Sequence, residues 1–110
     1  MHDSKDKMAL TKTQKESIKN EIKESLCYER EIMRIIIFGS FVNSDEPNDI
    51  DVAVFQNSNQ QYLPLSLKYR RLTRKIARKV SLDIFPVKMG VKKSFVAEIE
   101  SGEIIYERRS

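Results

Sequence analysis

Three aspartates carry the clearest chemistry in this sequence. Asp49 and Asp51 are two residues apart at the start of the segment DIDVAVF, and Asp83 stands between Leu82 and Ile84. Side chains at i and i+2 of a β-strand point to the same side of a sheet, so Asp49 and Asp51 converge if this segment is a strand. Adjacent carboxylates repel unless a cation neutralises them. Oxygen ligands alone suit a hard cation such as Mg²⁺, and we predict that the three aspartates bind it.

A glycine–serine pair is the second candidate element. Gly39 and Ser40 directly follow the apolar segment 34–38. Because glycine lacks a Cβ, backbone N–H groups there can approach a phosphate closely, and the serine hydroxyl is a further donor. Phosphate donors on one strand and carboxylates on two others suit nucleotidyl transfer with two metal ions. In such a reaction Asp83 can help to take the proton of the attacking hydroxyl.

Composition argues against several other kinds of site. The chain of 110 residues has one cysteine, Cys27, and one histidine, His2, which argues against a disulfide, a Cys/His zinc site and histidine-based catalysis. Its 40% hydrophobic and 33% charged residues favour one folded domain, expected over 11–110 after a disordered stretch at 1–10. No apolar run approaches the roughly 20 residues that span a membrane. Since the N-terminus also lacks an apolar signal core, we expect a cytoplasmic protein.

Hydrophobic spacing predicts the elements that must position these residues. Apolar residues at helical spacing predict helices at about 13–28, 63–80 and 94–101. Apolar, β-branched runs predict strands at 34–38, 49–55, 81–87 and 103–106. A right-handed strand–helix–strand connection would place the third strand beside the second, and Asp83 could then face the same metal site. The sum is a small mixed β-sheet with flanking helices, in the α+β or α/β class.

Three smaller signals refine these elements. A capping box at Thr13–Glu16 predicts the start of the first helix, and Pro64 suits the first turn of the second. Pro86 indicates an edge strand or a strand end. Gly102 is predicted to end the third helix as its C-cap.

The predicted helix at 63–80 is strongly basic. Residues 52–82 hold seven basic and no acidic side chains, whereas residues 34–51 hold four acidic and one basic. A charged helix of this kind is most often a solvated face. The alternatives are contact with ATP phosphates, with nucleic acid or with an acidic partner. Tyr69 is interpreted as a core residue, so a base-stacking platform for single strands is not supported.

The order of these motifs resembles a known family. An apolar strand, Gly-Ser, a short polar loop, Asp-x-Asp at the start of a strand, a basic helix and a lone Asp follow one another. The stretch IIFGSF…NDIDVAV resembles the signature of the polymerase-β-like nucleotidyltransferase superfamily. The small size and the ending FVAEIESGEIIY resemble its smallest branch, the minimal nucleotidyltransferases. The resemblance covers about residues 32–107 and implies a nucleotidyltransferase domain over 11–110.

The resemblance also implies roles for the residues singled out above. Gly39 and Ser40 would contact the phosphates of ATP or another nucleoside triphosphate, and Asp49, Asp51 and Asp83 would hold Mg²⁺, in a two-metal site. Many minimal nucleotidyltransferases act as antitoxins and transfer AMP to an all-helical HEPN-domain partner. We therefore expect an AMP-transferring antitoxin with such a partner.

Two alternatives to this function stay open. The same fold could neutralise its partner by contact, with little or no catalysis. A weaker hypothesis is a nucleic-acid-binding module that uses the basic helix at 63–80. Because the chain is too short for a separate acceptor-binding domain, a partner protein or a homo-oligomer is expected for an antitoxin of either kind.

Overall fold

The computed structural model describes residues 10–44, 49–90, 99 and 101–108. Its helices are α1 (Lys12–Leu26), α2 (Ser40–Asn43), α3 (Tyr62–Leu72) and α4 (Arg74–Ala77). Its strands are β1 (Ile32–Phe38), β2 (Ile50–Gln56), β3 (Leu82–Lys88) and β4 (Glu103–Glu107). The predictions for residues 1–9 and for a helix over most of 94–101 lie outside the described residues. None of the helices in the described ranges is long and apolar enough to cross a membrane.

The four strands form one mixed sheet with the order β3-β2-β1-β4. Strand β1 is antiparallel to both β2 and β4. Strand β2 is parallel to β3, and the connection between them runs through α3 and α4. The predicted placement of the third strand beside the second is therefore confirmed, as is the small mixed sheet with flanking helices.

Strand β3 lies at the edge of the sheet, as Pro86 predicted. Ile50 N donates to Ser81 O and Met89 N donates to Gln56 O, both at 2.9 Å. In a parallel ladder the residues that bond to one neighbour alternate along the strand, so 81, 83, 85, 87 and 89 face β2. Pro86 is at an outward position, where its missing N–H removes no bond from the ladder.

The sheet buries apolar side chains on both of its faces. One face packs against the helices, and its buried residues include Ile35, Ile37, Val52, Val54 and Ile84 from the strands and Ile22, Leu26, Leu65 and Tyr69 from the helices. The other face buries a smaller group, which consists of Ile36, Phe38, Ala53, Phe55, Val87 and Ile99. Full burial of such a side chain contributes about 1.5–3 kcal/mol. Two covered faces explain why the β1 sequence shows no polar alternation.

The N-cap of the first helix lies two residues before the predicted one, and the helix begins at Lys12. Thr11, not Thr13, is its N-cap: Thr11 Oγ1 accepts from Gln14 N at 3.1 Å, and Thr11 N donates to Gln14 Oε1 at 2.8 Å. Glutamine serves in a capping box as well as glutamate does, so Thr11–Gln14 satisfies the same pattern as Thr13–Glu16. The earlier start extends the helix at its first turn.

The basic helix is broken where a single helix was predicted over 63–80. Thr73 separates α3 from α4, with φ −106° and ψ 14°. Its hydroxyl donates to Tyr69 O at 2.8 Å, and this bond to the preceding turn competes with the regular helical geometry. Pro64 does lie in the first turn of α3, as predicted, since the helix begins at Tyr62.

Gly102 is required by a close approach rather than by a positive φ angle. Its N–H donates to Ile99 O at 2.9 Å, and a Cβ at this position would collide with Ile37 O and would lie 2.8 Å from Phe38 Cβ. The glycine therefore lets the chain that enters β4 pass directly over β1.

Candidate active site

The sheet brings the predicted aspartates to one place. Asp51 of β2 is paired with Asp83 of β3, and on its other side with Phe38 of β1. Paired residues of neighbouring strands point to the same face and have Cα atoms about 5 Å apart. Asp49 directly precedes β2, two residues from Asp51, and is half-buried like it, whereas Asp83 is exposed. All three carboxylates thus start from one end of the face opposite the helices.

Gly39 lies against this end of the sheet, in a position that requires a glycine. Its φ of 81° and ψ of −152° fall in a region that only glycine adopts readily. A Cβ at this position would lie 2.6 Å from Asp51 Oδ2, closer than non-bonded atoms allow. The structure therefore places the predicted Gly-Ser turn and the Asp51 carboxylate in direct proximity.

Ser40 begins a short helix, α2, where a polar loop was expected to start. The Ser40 hydroxyl donates to Asp49 O at 3.4 Å, which links the turn to the residue before β2. Phe41 is fully buried and Val42 packs against the same helix-side core. This apolar pair therefore belongs to the core.

Lys15 holds this turn in place from α1, and sequence reasoning missed it. Its Nζ donates to Phe41 O at 2.8 Å and to Ser44 O at 2.6 Å, and lies 5.2 Å from the centre of the Phe41 ring. The lysine thus binds two carbonyls at the end of α2 and stacks on its aromatic residue. No local pattern predicts a contact between residues so far apart in the chain.

Ser81 is a second residue that the sequence reasoning missed. Its Oγ donates to Asp49 Oδ1 at 2.5 Å, so the hydroxyl orients the first aspartate. A signal for this contact did exist. If Asp51 pairs with Asp83 in a parallel ladder, residues two positions earlier on each strand are also neighbours, and these are Asp49 and Ser81.

The family of this chain follows from a comparison with known sequences. The family model described as polymerase beta, nucleotidyltransferase matches residues 20–110. The chain belongs to this nucleotidyltransferase family. No curated protein matches the sequence. The match includes every aspartate and glycine of the candidate site, and it confirms the resemblance drawn from the motifs.

A solved structure shows a similar fold. A chain in the structure of tri-AMPylated Shewanella oneidensis HEPN toxin in complex with MNT antitoxin superposes with a TM-score of 0.58 and 18% identity. The alignment covers 86% of this nucleotidyltransferase and 73% of that chain. At this identity the likeness establishes the fold, which is the small mixed sheet described above.

The aspartates of this nucleotidyltransferase fit a hard cation in the type of donor atom they offer. Carboxylate oxygens are the ligands that Mg²⁺ prefers. Neither Asp49 nor Asp83 forms an ion pair with a cation in the described parts of the chain, so no such side chain neutralises them. Across 10–44, 49–90 and 101–108, no three acidic, cysteine or histidine side chains already converge closely enough to hold a metal. The backbone therefore assembles the three aspartates without closing them into a ligand cage.

A second carboxylate cluster lies away from this site and has its counterion within the chain. Lys68 Nζ lies 2.7 Å from Glu29 Oε1 and 2.9 Å from Glu31 Oε2, and Tyr69 OH donates to Glu31 Oε2 at 2.9 Å. Burial raises the pKa of Glu31, but the hydrogen bonds from Lys68 and Tyr69 outweigh it, and the pKa lies below its ordinary value. Burial and the Glu31 carboxylate raise the pKa of the Tyr69 hydroxyl.

Proposed function

We propose that this nucleotidyltransferase transfers AMP from ATP to a hydroxyl group of a partner protein, with Mg²⁺ held by Asp49, Asp51 and Asp83. The observation that carries the proposal is the pairing of Asp51 with Asp83 on adjacent parallel strands, with the Gly39 turn beside Asp51. A carboxylate pair beside a glycine turn joins a cation site to a phosphate-binding backbone. The bound metal would supply Lewis-acid neutralisation of the triphosphate charge.

The residues of the site have separate tasks in this proposal. The turn at Gly39 and Ser40 binds the phosphates of the nucleotide and orients them toward the aspartates. Asp83 accepts the proton of the acceptor hydroxyl as its oxygen bonds to the α-phosphorus. The bond from that phosphorus to the oxygen bridging to the β-phosphate breaks, and pyrophosphate leaves with its electron pair. Ser81 and Lys15 position Asp49 and the turn without touching the nucleotide.

We propose further that the partner is a HEPN-domain toxin and that transfer inactivates it. The support is the fold shared with a chain of a complex between an AMPylated HEPN toxin and an MNT antitoxin. The toxin in that structure is tri-AMPylated, which makes a protein hydroxyl and a hydroxyl of an attached AMP the acceptors to test. Because the proposed reaction consumes ATP, we propose that it takes place in the cytoplasm.

Radioactive ATP labelled at the α-phosphate tests the transfer. The chain is incubated with Mg²⁺ and the partner protein that co-purifies with it or is encoded beside it. We expect label on the partner, and a loss of more than about 100-fold for Asp51→Asn, above the effect typical of residues that only support metal ligands. Glu24→Gln removes the same charge from an exposed position on α1 and is the matched control. Transfer by Asp51→Asn at the wild-type rate would contradict the proposal.

One observation favours a second candidate, neutralisation by contact alone. As the side chains stand, no three of the described metal-ligating side chains form a closed ligand set, and Asp49 is engaged by Ser81. Growth of cells that express the partner toxin distinguishes the two candidates. Protection by Asp51→Asn equal to that by the wild type indicates a contact antitoxin, whereas loss of protection indicates that transfer is required.

A further inference from the structure

A basic groove runs beside the candidate active site, on the outer side of strand β3. The groove has a volume of about 450 Å³ and lies between α3–α4 and the first half of β3. Arg70, Arg71 and Arg74 line it from the helices, Leu67 contributes an apolar wall, and Asp83 bounds it from the strand. The groove therefore shares one residue with the proposed catalytic set.

The arginines of this groove differ from two nearby lysines, Lys68 of α3 and Lys79 just after α4. Both lysines form ion pairs with glutamates of other parts of the chain. Arg70, Arg71 and Arg74 are exposed, and no described carboxylate lies within ion-pair distance of them. Three like charges in one groove repel each other, and an anion bound there would relieve that repulsion. Guanidinium groups bind carboxylate and phosphate oxygens through paired hydrogen bonds.

The position of the groove indicates which reactant supplies the anion. The sheet order places β3 and β1 on opposite sides of β2, so Asp83 and the Gly39 turn flank Asp51 from the two sides. Strands are spaced by about 4.8 Å, which puts the groove roughly 10 Å or more from the turn. The groove lies on the helix side of the sheet, whereas the aspartates start from the opposite face, so the two regions meet around the open edge of β3 at Asp83. If the turn holds the triphosphate, as proposed above, this edge is the side from which the acceptor approaches.

We propose that this arginine groove binds an oxyanion of the acceptor, next to the hydroxyl that receives the nucleotide. The inference rests on the proposed transfer to a protein acceptor. Two sources share the required chemistry: a carboxylate of the acceptor protein, and the phosphodiester of a nucleotide already attached to it. With the second source, the groove would favour the addition of further nucleotides over the first.

A triple variant, Arg70→Gln/Arg71→Gln/Arg74→Gln, tests the groove. Its matched control is Arg30→Gln/Lys75→Gln/Arg78→Gln, which removes three charges from exposed residues that do not line the groove. Transfer is followed at varied ATP and acceptor concentrations, and the number of nucleotides per acceptor is read by mass spectrometry. Charge-assisted hydrogen bonds are strong enough for their loss to change acceptor binding roughly tenfold or more.

Two outcomes support the inference and identify the anion. A KM for the acceptor that rises at least about tenfold in the first addition, with the KM for ATP unchanged, identifies a carboxylate of the acceptor. A normal first addition followed by loss of the later ones identifies the phosphodiester. In both cases the control variant should behave as the wild type.

Three outcomes overturn it. The groove variant could match the control in every parameter, its KM for ATP could rise instead of that for the acceptor, or it could lose salt-dependent RNA binding with transfer unchanged.

If the wild type transfers no nucleotide, the proposed function fails separately. Partner binding without nucleotide then decides the groove: weaker binding by the groove variant than by the control supports it, and equal binding overturns it.

Discussion

Two groups of carboxylates in this protein have opposite surroundings. Glu29 and Glu31 face Lys68 at 2.7 and 2.9 Å, and Glu31 also accepts from Tyr69. Neither Asp49 nor Asp83 forms an ion pair with a described cation, and Asp83 is paired in the sheet with another aspartate. The first group contains its counterion in the fold. The second keeps its negative charges next to one another.

This difference distinguishes the glutamates, whose charges stabilise the fold, from the aspartates, whose charges are available for the proposed reaction. An internal counterion offsets the cost of removing a carboxylate from water. Adjacent carboxylates that lack a counterion repel each other, and this repulsion lowers the stability of the fold. Sites that bind cations or reacting groups commonly show this pattern. The comparison predicts opposite responses to substitution in the two groups, and four experiments test it in decreasing order of effect on the free energy of unfolding.

Gly39→Ala should have the largest effect. The backbone at φ 81° and ψ −152° strains an alanine by about 1–3 kcal/mol, and its Cβ would also displace the Asp51 carboxylate. We expect reduced stability by denaturant unfolding and loss of nucleotide transfer. Gly90→Ala is the control, since Gly90 has a φ of 85° but no atom within 4 Å of an added Cβ. It should lose stability and keep transfer; equal transfer by both variants would contradict the role of the turn.

Lys68→Met should cost about 1–2 kcal/mol, between the values for exposed and buried ion pairs. The substitution leaves two partly buried glutamates without their cation, while methionine preserves most of the aliphatic stem. Transfer by the folded variant should be unchanged. Lys79→Met removes an exposed pair with Glu21 and should cost less than about 0.5 kcal/mol. A similar cost for the two variants would refute the stabilising role of the Lys68 cluster.

Part of the candidate site could be predicted from the sequence by general rules of folding and of phosphate binding. The neighbouring positions of the second and third strands followed from a general rule on parallel connections. The register that pairs Asp51 with Asp83 comes from the structure. The need for Gly39 was predicted for a different reason, the approach of a phosphate. The structure adds the clearance that the Asp51 carboxylate requires.

The sequence could not predict contacts that depend on where distant elements meet. Lys15 binds carbonyls at the end of α2, and Lys68 binds two glutamates before β1, but both lysines look like ordinary surface charges of their helices. The break at Thr73 was equally hidden. Threonine is tolerated within a helix, and its hydroxyl bond to Tyr69 O decides the local geometry only in the folded chain.

Glu31→Gln should show its effect in the pH dependence of stability. The pKa of Glu31 lies below its ordinary value of 4.5 in the folded protein, so its charge stabilises the fold above that pH and the benefit disappears as the pH falls. The wild type should exceed the variant by about 1 kcal/mol at pH 7, and the difference should shrink toward pH 3. Denaturant unfolding at the two pH values measures it, with Glu24→Gln as the charge control. A difference that is constant with pH would mean that Glu31 acts through packing.

Asp83→Asn should have the smallest effect on stability and in the opposite direction. Asp83 is exposed, has no described cation partner and sits beside Asp51, so the neutral amide removes a like-charge repulsion. We expect a free energy of unfolding that is unchanged or higher by up to about 0.5 kcal/mol, together with a strong loss of transfer. The same change from acid to amide would then destabilise the fold at Glu31 and not at Asp83. A loss of more than about 1 kcal/mol at Asp83 would instead place that carboxylate among the structural charges, because an exposed group that lacks a partner cannot contribute so much.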